Sequence, residues 1–395
     1  MIYQAMSRRL LILGGGYAGL SAAKHAAGGG AEVQLVDRSP VSVSSPLLPD
    51  LISGRVDGRH MAYDLVRHCR RRRVEFRQAE VRSIDAGSKR VETGDGDLTA
   101  DAIVVCLGCE TNYFGSDEIR QRTLGLKTIC EGRAIAKGAA ERMDRGRAEL
   151  LVVGGGYTGF EAASHLALLA RRRSGRPYAR LAEVARIRVL EKSDEPLRNV
   201  PEGIRDWAWR KLERCGVEVV TGCTVEQIEP DGAAMLSTGE RVDDALVVWT
   251  PGVTPGAAVG ELPAADGHRG RLSVDRCLQV SGTGGVFAAG AVAAAVRPGA
   301  GRPLRMGVQF SLAGGARAAA NALRWLAGRE LKPFDPLDPG YLVPLGPGFA
   351  AGVVLGITLR GRVPLAMHYG MCAFRSWGVR NKVGIVTDLM KGTRS

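Results

Sequence analysis

Leu10 to Ala23 reads LLILGGGYAGLSAA, and Leu150 to Ala163 reads LLVVGGGYTGFEAA. Each stretch runs from an apolar strand through a glycine turn into the start of an apolar-periodic helix. Each is followed by a second strand ending in an acid: Val33 to Asp37 (VQLVD) and Ile187 to Glu191 (IRVLE). Strand, glycine turn, helix and acid-ended strand together make the βαβ unit that cradles a dinucleotide. One such run is weak, because a glycine-rich turn also arises without a ligand. Two copies in the same context make that bland reading a poor one.

The spacing has a chemical reason. Gly14, Gly16 and Gly19 form G-x-G-x-x-G, as do Gly154, Gly156 and Gly159. The first glycine permits the tight turn, the second lets the backbone approach a pyrophosphate, and the third lets helix and strand pack closely. The anion then sits on free N–H groups at the positive end of the helix. Asp37 and Glu191 stand where an acid accepts from ribose hydroxyls. Glu191 repels a 2′-phosphate, which favours NADH over NADPH, although Arg188 and Lys192 lie near enough in sequence to temper that preference. Two folds imply two dinucleotides. The economical pairing is FAD in the first and a nicotinamide cofactor in the second, since the chain offers no other group to accept a hydride.

Outward from the repeat, short strands follow: Ala102 to Leu107, Val217 to Val220, Ala245 to Trp249 and Gly285 to Ala289. An alanine-rich helix is predicted over Gln309 to Ala327. Alternating strands and helices give an α/β chain with two Rossmann-like, doubly wound nucleotide-binding domains and a small C-terminal domain. The expected boundaries are 1–117 with 270–330 for the FAD domain, 118–269 for the NAD(H) domain, and 331–395 for the last unit. Tyr341 to Leu359 carries no charge and nearly matches a bilayer in length. Pro344, Gly346, Pro347, Gly348, Gly352 and Gly356 would break a helix there, so the segment is predicted to be a buried β-hairpin.

A length of 395 residues, 45% hydrophobic and 24% charged, suits a folded chain of two or three domains. The net charge of +13 calls for an acidic partner or surface. Basic residues gather at Arg67 to Arg73 and Arg171 to Arg173. Near the end, Arg360, Arg362, Arg375, Arg380, Lys382, Lys391 and Arg394 face the single acid Asp388. No aromatic-interleaved or DNA-reading motif accompanies them, so nucleic acid is not the expected partner. The start, MIYQAMSRRLLILGGG, has no cleavage signal. Eight scattered cysteines suit a reduced, cytoplasmic chain. The close pair Cys106 and Cys109 are more often plain apolar residues than a redox or metal couple, and no metal site is expected.

These residues resemble the two-dinucleotide-binding flavoproteins, the pyridine nucleotide-disulfide oxidoreductase superfamily, and within them the type II NADH dehydrogenases, across nearly the whole chain. Pro46 to Asp57 (PLLPDLISGRVD) is similar to the family segment near the flavin. Gly108 to Gly115 (GCETNYFG) is similar to its strand-end glycine and T-N-Y-F-G run. Leu246 to Val253 (LVVWTPGV), with Gly252, resembles the second crossover, and Val274 to Ala291 the strand that ends at the flavin with Gly290. Gly378 to Lys382 (GVRNK) resembles the closing basic segment. The resemblance implies an oxidoreductase that carries hydride from NADH to FAD and electrons onward to a quinone or another small acceptor. It gives Glu161 a positioning or proton-handling role at the flavin–nicotinamide contact, against the plainer reading of a helix-start acid favoured by the dipole. Tyr157 either shields the nicotinamide or simply packs.

Three departures stand out. Ala291 replaces the family's aspartate on the flavin ribityl chain, and Ala313 replaces the second of two glutamines, of which Gln309 is the first. Val41 to Ser45 lacks an aromatic. A soluble flavin oxidoreductase acting on an organic metabolite, or a non-catalytic nucleotide-binding partner, therefore stays open. No cysteine lies between Met1 and His68 or between Glu131 and Arg214, which disfavours a disulfide reductase. Cys130 and Cys372 are weak candidates for a sulfide-type mechanism. Phe374, Trp377 and Val379 mingle with Arg375, Arg380 and Lys382, as in a peripheral anchor on an anionic membrane at its cytoplasmic face, or in a capping helix with a solvated basic side. A homodimer is left open.

Overall fold

Leu10 to Leu13 are wholly shielded from solvent, because a parallel strand covered on both faces has no side left for water. In the computed structural model, which describes residues 8–265, 267–345 and 348–392, these residues form the centre of the first sheet. The N-terminal residues 1–7, Gly346 and Pro347 of the hairpin, and Arg394 lie outside the described residues.

In chain order the chain begins with β1 (Arg9–Leu13), α1 (Tyr17–Ala26), β2 (Glu32–Asp37), α2 (Leu48–Ile52), β3 (Glu75–Gln78) and β4 (Ala102–Val105). Next come α3 (Ile129–Arg145), β5 (Ala148–Val153), α4 (Tyr157–Ser174), β6 (Ala185–Glu191), β7 (Val217–Thr221) and β8 (Leu246–Trp249). Last are β9 (Val286–Ala288), α5 (Val308–Leu326), β10 (Gly340–Leu345), β11 (Phe349–Val354), β12 (Ile357–Gly361), α6 (Arg362–Arg375) and α7 (Val379–Gly392).

The chain divides into two units. The first takes the residues up to Ser42, Tyr63–Glu110 and Thr254–Leu337. Its sheet runs β9-β4-β1-β2-β3, every pair parallel. On one side α1 meets α5 so closely that a Cβ on Gly315 would lie 2.0 Å from the Ala18 carbonyl oxygen. Two helices approach like this only where one side chain is absent.

The second unit takes Val43–Ala62, Thr111–Val253 and Asp338 onward. Its sheet runs β7-β6-β5-β8, again all parallel. A capping box starts α3: Thr128 Oγ1 accepts from the Glu131 N–H at 3.1 Å, and Glu131 Oε2 accepts from the Thr128 N–H at 2.8 Å. At the other end of α4, Gly175 closes the helix in the left-handed region at φ 66°. Arg171, Arg172 and Arg173 fill its last turn, where cations meet the negative end of the helix. That basic run has structural partners, since Arg173 binds Asp144 at 2.6 Å and Arg172 donates to the Ser53 carbonyl at 2.8 Å.

The uncharged stretch after Asp338 is the antiparallel pair β10–β11, as the glycines and prolines predict, extended by β12. Val343, Leu345, Ala350 and Ala351 share one apolar core with Leu166, Ala170, Ile187 and Val189 of the second Rossmann layer. Among the described residues, no helix is long and apolar enough to cross a membrane.

Candidate functional site

The two glycine cradles are built alike. Gly14 and Gly154 sit at φ +98° and +103°, a backbone that only glycine adopts without strain. A Cβ on Gly19 would lie 1.7 Å from the Gly14 carbonyl oxygen, and one on Gly159 would lie 1.9 Å from that of Gly154. By contrast a Cβ on Gly16 or Gly156 meets nothing within 4 Å. Those two positions are exposed helix N-caps, the open mouths onto which an anion would settle.

The two acids close the loops behind these mouths. Asp37 Oδ2 accepts from the Gly15 N–H at 2.6 Å and Oδ1 from the Ser39 N–H at 2.7 Å. Burial raises the Asp37 carboxyl above its ordinary range, against those two bonds. Glu191 repeats the pattern: Oε2 accepts from the Gly155 N–H at 2.7 Å and Oε1 from the Ser193 hydroxyl at 2.7 Å. Glu191 Oε1 also accepts from the Ser193 N–H at 3.0 Å, while both Asp37 oxygens and Glu191 Oε2 keep a second lone pair for a ribose hydroxyl. The residues present therefore fit a dinucleotide in each unit.

Arg188 does not temper the choice made by Glu191. Its side chain is 2% exposed and holds Glu240 at 2.8 and 2.9 Å, with Glu149 at 3.5 Å. The alternation along β6 sends residues 188 and 191 to opposite faces.

The remaining expected residues divide between the units. Gly108, Gly290, Ala291 and Gln309 lie in the first with Gly14, Gly16, Gly19 and Asp37. Gly290 follows β9 at φ +83°, with its absent Cβ 3.0 Å from Ala18 Cβ, beside the first cradle. The Ala291 carbonyl accepts from Cys109 Sγ at 3.4 Å. Burial pushes its neighbour Cys106 up to about 12, which makes it a neutral thiol. Gln309 stands in the first turn of α5, half-buried, and Ala313 one turn on is exposed. In the second unit Gly252 ends the β8 crossover beside the second cradle, whose Gly154 would press a Cβ onto Pro251 at 2.7 Å. Cys130 is exposed and Cys372 buried. No group of three or more His, Cys, Asp or Glu among the described residues could hold a metal.

Glu161 is half-buried in the second turn of α4, and burial together with the charge of Asp50 raises its carboxyl well above the ordinary range. Behind it lies a polar cluster that motif reading missed. Asp50, 1% exposed, accepts from the Tyr369 hydroxyl at 2.8 Å. Arg55 Nε stands 4.0 Å from the same carboxylate, and its guanidinium lies 4.6 Å over the Tyr369 ring. His165 Nε2 is 3.8 Å away, with its other nitrogen 2.7 Å from Ser53 Oγ. Burial holds Asp50 up at about 7 and His165 down at about 3. The sequence signal was an acid and an arginine inside an otherwise apolar PLLPDLISGRV run, where charge is costly without partners.

The C-terminal helices carry a second feature that was only partly read. On α6, Val363, Met367, Met371 and Phe374 are 68%, 40%, 44% and 74% exposed; on α7, Val379, Val383, Val386 and Met390 are 76%, 56%, 45% and 60% exposed. Steps of three and four place each set on one helical face. The opposite faces bury Leu365, Tyr369 and Cys372, and Ile385. Asp388 anchors α7 by accepting from the Asp57 N–H at 2.9 Å and meeting His60 Nδ1 at 2.7 Å.

Two parallel α/β sheets, each with its own glycine cradle and a carboxylate bonded behind it, define a protein of the two-dinucleotide class. The chain belongs to the pyridine nucleotide-disulphide oxidoreductase family, whose model matches residues 8–322. A type II NADH:quinone oxidoreductase of Staphylococcus epidermidis is 25% identical over 370 residues, covering 90% of this chain and 92% of that one. Among solved structures, NDH2 from Plasmodium falciparum in complex with NADH has a similar fold, with a TM-score of 0.84 at 14% identity over 98% of both chains. The sulfide:quinone oxidoreductase of Aquifex aeolicus has a TM-score of 0.76 at 15% identity, over 95% of this chain and 92% of that one.

Proposed function

We propose that the chain is an FAD-dependent NADH oxidoreductase that delivers electrons to a quinone at a membrane surface. The observation that carries this reading is the pair of cradles, each with an open N-terminal mouth and a carboxylate bonded behind it. The first unit would hold FAD through Gly14, Gly16, Gly19 and Asp37, with Gly108, Gly290 and Ala291 beside it. NADH would lie along Gly154, Gly156, Gly159, Gly252 and Glu191. NADH rather than NADPH is supported by Glu191, whose carboxylate repels an added phosphate, and by the removal of Arg188 to the far face of its strand.

When bound, NADH supplies a hydride and FAD passes the electrons on, so that NADH, one proton and a quinone yield NAD⁺ and a quinol. This chain's part is to hold, orient and exclude water. Glu161 holds a proton at the cofactor end of α4, and Gln309 offers an amide at the acceptor end of α5. The quinone assignment is supported by the relatives' names, while Ala291 and Ala313 favour the alternative of a soluble organic acceptor.

Purified protein should be yellow with about one flavin per chain. It should bleach under anaerobic NADH and recover with a short-chain quinone. Recovery only with a soluble metabolite selects the alternative, and a colourless protein that FAD cannot reconstitute leaves a non-catalytic binder.

The paired apolar stripes on α6 and α7, flanked by Arg375, Arg380 and Lys382, support contact with anionic lipid at the cytoplasmic face. Flotation with anionic vesicles should carry the protein up at low salt. Val379→Glu with Val383→Glu should leave it at the bottom, while NADH oxidation by a soluble acceptor persists. Equal flotation of the two proteins excludes this surface.

A further inference from the structure

We propose that Asp50 is a positioning residue for Glu161: the buried carboxyl, held by Tyr369 and Arg55 behind the Glu161 face of α4, governs when Glu161 can release its proton. The inference rests on the proton-handling role proposed above for Glu161 and adds the group that sets it.

The argument starts from placement. Glu161 and His165 are four residues apart on α4 and therefore share one face, and His165 Nε2 lies 3.8 Å from Asp50 Oδ1. That face turns toward α2, which packs on α4 within the second unit. Both carboxyls also act on Cys372, which α6 supplies to the same spot. Two acids that face one largely buried cluster cannot both ionise at low cost, because like charges at reduced dielectric repel.

Each neighbouring element contributes one constraint. From α6, the Tyr369 hydroxyl donates to Asp50 at 2.8 Å and so favours the charge on that member of the pair. From the turn after α2, Arg55 does the same electrostatically from 4.0 Å. From α4, His165 is held down at about 3 by burial and by Arg55 and Arg172, and from α6 His368 is held down at about 4 by burial and Arg55. Both are neutral and donate no charge to either acid. Arg375, at the end of α6, acts on Cys372. On the α3 side the contact is apolar: a Cβ on Gly132 would lie 3.0 Å from Leu51. Arg55 and the Tyr369 hydroxyl thus favour the charge on Asp50, which in turn disfavours a charge on Glu161.

The test follows the Glu161 carboxyl by NMR in holoenzyme labelled with ¹³C at glutamate Cδ, its signal assigned by loss in Glu161→Gln. In the wild type it should titrate well above an ordinary glutamate. In Asp50→Asn, with the repelling charge gone, it should titrate lower by about one pH unit or more. Tyr369→Phe keeps the ring under Arg55 but removes the bond that favours charge on Asp50, so it should move the signal the same way by less. The alkaline limb of kcat should move down in step, with KM for NADH unchanged. A Glu161 signal unmoved in both variants overturns the proposal. A moved signal with an unmoved kcat limb upholds the coupling and overturns instead the proton role given to Glu161.

Discussion

A chain carrying Gly159→Ala should keep its flavin and lose its response to NADH, while Gly19→Ala should do the reverse and purify without colour. The added methyl has no room. It would lie 1.9 Å from the Gly154 carbonyl oxygen in the first case and 1.7 Å from that of Gly14 in the second, and the obstacle is backbone rather than a side chain that can swing away. Overpacking of this kind costs about 3 kcal/mol or more when the surroundings are rigid. If the loop relieves the clash by reshaping its N–H groups, that cost appears as a loss of about 100-fold or more in nucleotide affinity. Flavin content per chain and NADH titration by calorimetry read the two cradles separately. If Gly19→Ala spares the flavin and abolishes NADH binding, the assignment of cofactor to unit is reversed. If both variants bind both nucleotides as before, the cradles are not the binding sites.

The second large effect is a change of stability with pH that Asp50→Asn should erase. Burial raises the folded Asp50 from 3.8 to about 7, so the native state keeps a proton that the unfolded chain has released. Stability from this group is present below about pH 4 and is lost as pH rises to about 7, by about 4 kcal/mol in all. Glu161, raised by burial and Asp50, contributes in the same direction. His165 and His368 oppose it: lowered from 6.5 to about 3 and about 4, they add stability above 6.5 and withdraw it as pH falls toward those values. The difference between wild type and Asp50→Asn removes the histidine contribution, which above pH 6.5 is in any case constant. Urea unfolding at a series of pH values should therefore show the variant gaining on the wild type from pH 4 to pH 7. Parallel curves would mean that Asp50 ionises as freely as in water.

What the sequence made legible follows from locality. The cradles, the two acids and the parallel strands are encoded in runs of about thirty residues, in which glycine spacing and apolar periodicity speak directly. The hairpin after Asp338 was legible for the same reason, since Pro344 and Gly352 cannot lie inside a spanning helix. Arg188 misled because a neighbour in sequence on a strand is on the wrong face in space, where it meets Glu240. The Asp50 cluster was illegible because its members come from three distant stretches, 50–55, 161–172 and 368–372, and only packing brings them together. The stripes on α6 and α7 were present in the sequence as an apolar residue every third or fourth position. They were hard to tell from a buried face, since periodicity marks a face without saying what covers it.

The way the chain is shared between its units has a consequence for its birth on the ribosome. The first unit needs residues as late as Leu337, and the second needs both Val43–Ala62 and the segment from Asp338 onward. Neither unit can complete itself early, so the usual order of folding, front half before back half, is closed to this protein. During synthesis β1, β2 and β5 emerge with their apolar residues uncovered and wait for partners encoded far downstream. A message cut short before Leu337 would leave neither unit finished.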